Sequence, residues 1–309
     1  MSRIRILLCL LAFLVSVGAC SKEDVLGPNA GERVAVEGIA SQSAELRVAA
    51  ASGQTLYALT ADGYLISFEV TNPGVLLSSV KITGLSSPRT RLVGIDFRPA
   101  TGQLYALGND SRIYTLDTQT AAASSLPASL APALDGDAFG FDFNPTVDRI
   151  RIVSDRGQNM RAHPVTGAIV AVDGSLAYNA ADINAGASPT AVGAGYTNSD
   201  TDTLTATTLY DIDASRDLLV TQVPPNSGTL NTVGALGVDV ESLTGFDIVL
   251  AGGMNVAYAG IKSRGAGGGS INDSATHLLR VDLLTGAATD LGKIADAGRI
   301  VGLPAPITR

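Results

Sequence analysis

The sequence of 309 residues has no tryptophan, two histidines and two cysteines, and only 16% of it is charged. Each shortage closes off a class of chemistry. A zinc site takes three or four nitrogen, sulfur or carboxylate ligands. His163 sits in Arg161-Ala162-His163-Pro164, a strand end entering a turn, and His277 follows a glycine-rich stretch. Neither has a ligand partner at a suitable spacing, so both read as surface residues. No Gly-x-Ser-x-Gly elbow, phosphate-binding loop or dinucleotide fingerprint occurs, and Gly265-Ala266-Gly267-Gly268-Gly269-Ser270 is not placed between a strand and a helix as such a loop would be. The formal charge is −8 with no basic cluster, so the footprint of a nucleic-acid binder is missing.

What is present begins with an address. Met1-Ser2-Arg3-Ile4-Arg5 precedes an apolar run over 6–15 and then Val17-Gly18-Ala19-Cys20. A positive start, a short apolar stretch and a small-residue exit form a secretory signal. The run falls short of the ~20 apolar residues that a spanning helix needs. Its ending resembles the lipobox of bacterial lipoproteins, which implies lipid on Cys20 and cleavage before it. Ser21 rather than Asp at the next position resembles the pattern of lipoproteins sent to the outer membrane of a Gram-negative cell. The expectation is an exported protein, with residues 1–19 as signal peptide and lipid holding Cys20 to the cell envelope. Cleavage would remove Arg3 and Arg5 and no acid, taking the formal charge from −8 to −10. It would also remove Cys9, leaving no thiol for a disulfide or a metal.

Residues 20–50 read as the lipidated end of a flexible tether, with Lys22-Glu23-Asp24, Gly27-Pro28-Asn29-Ala30-Gly31 and little apolar content. From 51 to 309 the texture is uniform. Short β-branched and aromatic runs alternate with Gly, Asn, Asp, Pro and Ser clusters, the pattern of an all-β domain. Thirty-four glycines and few Glu or Lys residues speak against helices.

One short pattern recurs within this domain: Val93-Gly94-Ile95-Asp96-Phe97, Phe139-Gly140-Phe141-Asp142-Phe143, Val192-Gly193-Ala194-Gly195-Tyr196, Thr244-Gly245-Phe246-Asp247-Ile248 and, shortened, Val301-Gly302-Leu303. The glycines are 46, 53, 52 and 57 residues apart, and three further strand candidates follow each of the first four copies. Residues 53–85 hold three strand candidates with no glycine strand before them; the orphan lies at 300–303. That is a β-propeller of five four-stranded blades, closed by a C-terminal strand that completes the N-terminal blade. Residues 46–50 compete for the closing role. The first strand of each blade then lines the axis, where Gly94, Gly140, Gly193, Gly245 and Gly302 let backbones converge without a side chain. Alternation puts the aspartates on the glycine face and the aromatics on the other, between blades.

Two stretches are more specific than this texture: Gly94-Ile95-Asp96-Phe97-Arg98-Pro99 running on to Gly108, and Gly140-Phe141-Asp142-Phe143-Asn144-Pro145 running on to Asn159. With Thr229-Leu230-Asn231-Thr232-Val233-Gly234 they resemble the bacterial domain-of-unknown-function 4394 family. The resemblance spans 56–303 and implies an exported propeller-like domain and no particular activity.

Carboxylates are the one chemical resource left. Asp96, Asp142 and Asp247 occupy equivalent inner-strand positions and would converge at the channel. Such a trio can hold a hard cation such as Ca²⁺, or it can accept backbone N–H groups and fix the architecture, which is the favoured role for aspartate recurring in repeats. Asn144 and Asp155 are the non-repeated polar residues that would turn architecture into a site. Asp200, Asp202, Asp211 and Asp213 read as polar positions of strand and loop. The functional expectation is a binding or scaffold module with an unidentified protein or saccharide partner. The alternative is a metal-dependent, lactonase-like hydrolase built on the inner carboxylates.

Overall fold

A computed structural model describes residues 53–241, 244–262, 271 and 273–307. The signal, Cys20, the tether, the competing strand at 46–50 and the glycine-rich stretch at 265–270 lie outside the described residues. The described chain forms five sheets and a single three-residue 3-10 turn at Pro225–Ser227. β1 (Thr55–Thr60), β2 (Tyr64–Glu69) and β3 (Asn72–Lys81) form the first blade. The second is β4 (Leu92–Phe97), β5 (Leu104–Gly108), β6 (Arg112–Leu116) and β7 (Ala123–Ser129). The third is β8 (Phe139–Asn144), β9 (Arg149–Ser154), β10 (Asn159–Ala162) and β11 (Ile169–Val172). After β12 (Ala177–Tyr178), the fourth holds β13 (Ala191–Tyr196), β14 (Leu209–Asp213), β15 (Leu218–Gln222) and β16 (Thr229–Ala235). The fifth is β17 (Gly245–Ala251), β18 (Met254–Lys262), β19 (Thr276–Val281) and β20 (Ala288–Lys293), before the last strand, β21 (Ile300–Gly302).

This last strand decides the closure. β21 pairs antiparallel with β1, Leu59 opposite Gly302 and Thr60 opposite Ile300, so the first blade is completed from the C-terminus. The protein is a five-bladed β-propeller, as the repeat spacing requires. One strand was not legible. β12 adds to β16 in parallel as a fifth strand of the fourth blade, and only two residues pair, too few to leave a periodic signal.

The core is divided by interface rather than gathered at a centre. Five buried clusters correspond to the five blade-to-blade contacts, including one in which Leu56, Ile66 and Phe68 of the first blade meet Tyr258 and Leu278 of the fifth. The aromatics pack between blades as alternation requires. Tyr57 meets Phe97 edge-on with centroids 5.4 Å apart, and Tyr105 meets Phe143 at 5.1 Å. Each such pair contributes about 0.5–1.5 kcal/mol beyond its buried area.

The recurring glycines are where strands from adjacent blades touch. A Cβ on Gly94 would lie 2.7 Å from that of Phe141, one on Gly140 2.7 Å from that of Ala194, and one on Gly193 2.7 Å from that of Phe246. The series closes on itself: a Cβ on Gly245 would meet Leu303 at 2.9 Å, and one on Gly302 would meet Ile95 at 2.7 Å. In every case the residue after the next blade's glycine is among the obstacles.

Candidate functional site

Two residues beyond each glycine, the five inner strands carry Asp96, Asp142, Gly195, Asp247 and Pro304. One residue further on, Phe97, Phe143, Tyr196, Ile248 and Ala305 each aim a backbone N–H at the axis. Three carboxylates satisfy all five donors. Asp96 accepts from Phe97 at 2.6 Å and, across the blade boundary, from Phe143 at 2.7 Å. Asp142 accepts from Tyr196 of the fourth blade at 3.1 Å. Asp247 accepts from Ile248 at 2.6 Å and from Ala305 beyond the closing strand at 3.2 Å. Where the preceding blade offers Gly195 or Pro304 instead of an acid, the next aspartate turns to the N–H of its own successor. A buried N–H left without a partner costs about 1–3 kcal/mol, so these acids join neighbouring blades as well as occupying the channel.

One oxygen from each acid lies within 4.8 Å of the others, and the three residues are 5%, 4% and 7% exposed. Three charges at that separation in a buried site oppose one another. Burial, then the charge of Asp247, pushes Asp96 well above the usual carboxylate range. Burial and both other acids push Asp142 well above it too. Asp247 rises to about 6, through burial offset by the N–H groups of Ala305 and Ile248. Protons held inside the trio therefore answer its repulsion.

The spaces beside the trio are small. The space among Gly94, Gly140, Gly193 and Gly302, lined by Ile95 and Phe141, is about 10 Å³, as is the space beside Asp247, Ala305 and Ile307. Each is about the size of a single water probe. The open volumes lie at the face where the inner strands begin. A groove of about 860 Å³ runs between the first two blades. A second, of about 440 Å³, shares Ala61, Arg91 and Leu92 with it and reaches the axial mouth at Val93, Phe139 and Val301. A third, of about 550 Å³, lies between the third and fourth blades.

The remaining sequence candidates separate from the trio. Asn144 uses its Oδ1 on the N–H groups of Thr146 and Val147 in the β8–β9 turn, at 3.0 and 3.2 Å. Asp155 accepts the N–H of Asp137 at 3.0 Å and lines the third groove. The inner carboxylates thus form a group of three, without Asn144 or Asp155. His163 replaces an aspartate in a repeated turn: its Nδ1 accepts from Val165 at 3.1 Å, as Asp117 accepts from Gln119 and Asp282 from Leu284. His277 is not the plain surface residue expected, since its ring lies between Asp290 at 2.9 Å and Asp273 at 3.1 Å.

Sequence reasoning missed a buried polar layer between the third and fourth blades. Arg151, fully enclosed, bonds Asp173 at 2.7 Å, Asn159 at 2.6 Å and Asn226 at 2.8 Å, and touches the Tyr196 hydroxyl at 3.3 Å. Beside it Asp211 is completely buried with neither oxygen hydrogen-bonded, and burial raises it to about 8 against the pull of Arg151. A lone Arg or Asp in an alternating strand carries no sign of which face is enclosed.

A family model described as a domain of unknown function, DUF4394, matches residues 64–304. The chain belongs to the DUF4394 family. Every recurring glycine and all three inner aspartates of this DUF4394 protein fall within the matched span. No curated protein matches it. Among solved structures, the crystal structure of a protein from Lactobacillus plantarum is similar at 14% identity and a TM-score of 0.41, over 82% of this chain and 71% of that one.

Proposed function

We propose that this DUF4394 protein is an exported, lipid-anchored binding module that takes its ligand on the face where the inner strands begin. The observation that carries this is the contrast between two regions. The carboxylate centre is flanked by spaces of about 10 Å³, while grooves of about 860, 440 and 550 Å³ open at that face. Ligand sites are concave and typically measure about 300–1,000 Å³. A lactonase-like hydrolase would need an open mouth above Asp96, Asp142 and Asp247, and the same acids are engaged with five backbone donors. A propeller hosts many unrelated functions, so the site and not the fold supports the reading.

The anchor rests on Val17-Gly18-Ala19-Cys20 behind a short apolar run. Several acyl chains hold a protein stably, each buried CH₂ contributing about 0.8 kcal/mol, and the 31 residues from 20 to 50 give the domain reach. Two measurements test the reading. Fatty-acid labelling should mark the wild type and not Cys20→Ser, with the labelled protein in the envelope fraction. The purified domain should retain envelope-derived glycans or proteins on a surface without converting them. A labelled Cys20→Ser protein would refute the anchor, and turnover of a retained ligand would refute the binding module.

A further inference from the structure

The 860 Å³ groove gathers three cations, Lys81, Arg89 and Arg91, against one acid, Asp62, in its lining. Of the other arginines, Arg98 pairs with Asp148, Arg156 with Asp135 and Asp137, Arg161 with Asp173, Arg216 with Asp213 and Arg299 with Glu241, while Arg112, Arg149 and Arg280 stand singly on separate strands. Lys81, Arg89 and Arg91 line one groove, and among the described residues none of the three has an ion pair. Lys81 is held in place, its Nζ 2.5 Å from the carbonyl of Asp62 and 4.4 Å above the Tyr64 ring. Arg89 and Arg91 come from the segment between β3 and β4, which forms a wall of the groove.

That wall is pre-shaped. The half-buried carboxylate of Asp110 accepts from Tyr114 at 2.6 Å and from Ser86 at 2.5 Å; Ser86 in turn meets Thr90 at 2.9 Å, and Thr90 meets Ser87 at 3.1 Å. Asn109 accepts the backbone N–H of Arg91 at 2.9 Å. A loop fixed in this way spends little entropy on binding. Its hydroxyls, with that of Thr83, give the groove polar groups between the cations. Guanidinium groups recognise planar or tetrahedral oxyanions with paired N–H donors, and hydroxyl-rich walls suit a ligand that is itself rich in hydroxyls.

We infer that this groove binds an oligosaccharide carrying carboxylate or sulfate groups, its anions on Arg89, Arg91 and Lys81 and its hydroxyls on Ser87, Thr83 and their neighbours. The inference rests on the binding-module reading and deepens it. The test measures binding of the soluble domain to four probes: oligogalacturonate, a chondroitin sulfate oligosaccharide, neutral dextran and poly-glutamate. The expected result is saturable binding to at least one of the acidic saccharides, weakened at least tenfold by Arg89→Glu/Arg91→Glu and severalfold by Lys81→Gln. Unchanged melting temperatures would show the variants folded, and Lys293→Glu, outside the groove, should bind as the wild type does. A preference for carboxylate over sulfate, or the reverse, identifies the anion. Equal or tighter binding to poly-glutamate overturns the saccharide assignment, as does retention of acidic saccharide by both groove variants. Binding of dextran alone overturns the charge-based inference while leaving a binding module standing. Failure of all four probes overturns the inference, and the glycan and protein screen described above then judges the wider reading separately.

Discussion

Asp96 of the second blade accepts the backbone N–H of Phe143 in the third at 2.7 Å, and with its other oxygen takes the N–H of its own neighbour Phe97. This single side chain serves two of the five donors around the axis. The unequal distribution of donors over the three acids makes their contributions separable.

Asp96→Ala should therefore destabilise more than Asp142→Ala, which releases only the Tyr196 N–H. At about 1–3 kcal/mol for each abandoned donor, the expected losses are about 2–6 and about 1–3 kcal/mol. For a domain of this size Asp96→Ala should melt about 4–24 °C lower. Urea unfolding of both variants checks the order, and the reverse order would contradict the donor assignment.

The closing strand offers a second test. Gly302→Ala would place a Cβ 2.8 Å from the backbone nitrogen of Ile95, which cannot rotate away, and should destabilise by about 1–3 kcal/mol. Gly298→Ala, whose Cβ meets nothing within 4 Å, should leave the melting temperature unchanged. Removal of 299–309 takes away β21 and the Ala305 donor together, so the whole ring and not only its first blade should lose stability.

Arg151 is the third. Its guanidinium holds Asp173, Asn159 and Asn226 at the blade interface whose apolar cluster joins Val153 to Tyr196, Val220 and Leu230. Arg151→Ala should cost about 3–5 kcal/mol, the range for breaking one side of a buried ion pair. Differential scanning calorimetry would detect this. A loss below about 1 kcal/mol would show that the layer contributes little.

Much of this was legible in the sequence because it repeats. The glycine and the aspartate two residues later recur at blade spacing, and β21 could be placed because the first three strands lacked a glycine partner. The convergence of Asp96, Asp142 and Asp247 followed from the same register. The polar layer around Arg151 and Asp211 was not legible, since each occurs once and burial on the second face of a strand leaves no periodic mark. The groove was hidden for another reason. Lys81, Arg89 and Arg91 are close in sequence, but only the fold shows that all three line one groove.

The pH dependence follows from acids whose values rise on folding. Such an acid binds more protons folded than unfolded between its two values, so stability falls as pH rises through that window. The window opens near 4, the unfolded carboxylate value, and extends to about 6 for Asp247 and about 8 for Asp211, with Asp96 and Asp142 also raised. Asp173 and Asp213, held below their ordinary values, act oppositely and lose their contribution as pH falls below that range. Urea unfolding should therefore give higher stability at pH 5 than at pH 8. Asp211→Asn should flatten the upper part of the curve; an unchanged slope would contradict the enclosed, unpaired state of Asp211.

The central claim is that the three inner acids are a proton-holding hub of the ring and not a cation site. Thermal melting of the wild type and of Asp142→Asn, each in calcium and in chelator, tests it most directly. An asparagine can still accept from Tyr196 and donate toward Asp247, so the account predicts that Asp142→Asn melts within a few degrees of the wild type at pH 5 and above it at pH 8. Neither protein should respond to calcium. A cation bound at a hundred times its Kd would stabilise the wild type by about 2.7 kcal/mol. A calcium-dependent rise of that size in the wild type, lost in Asp142→Asn, would contradict the account and make Asp96, Asp142 and Asp247 a metal centre.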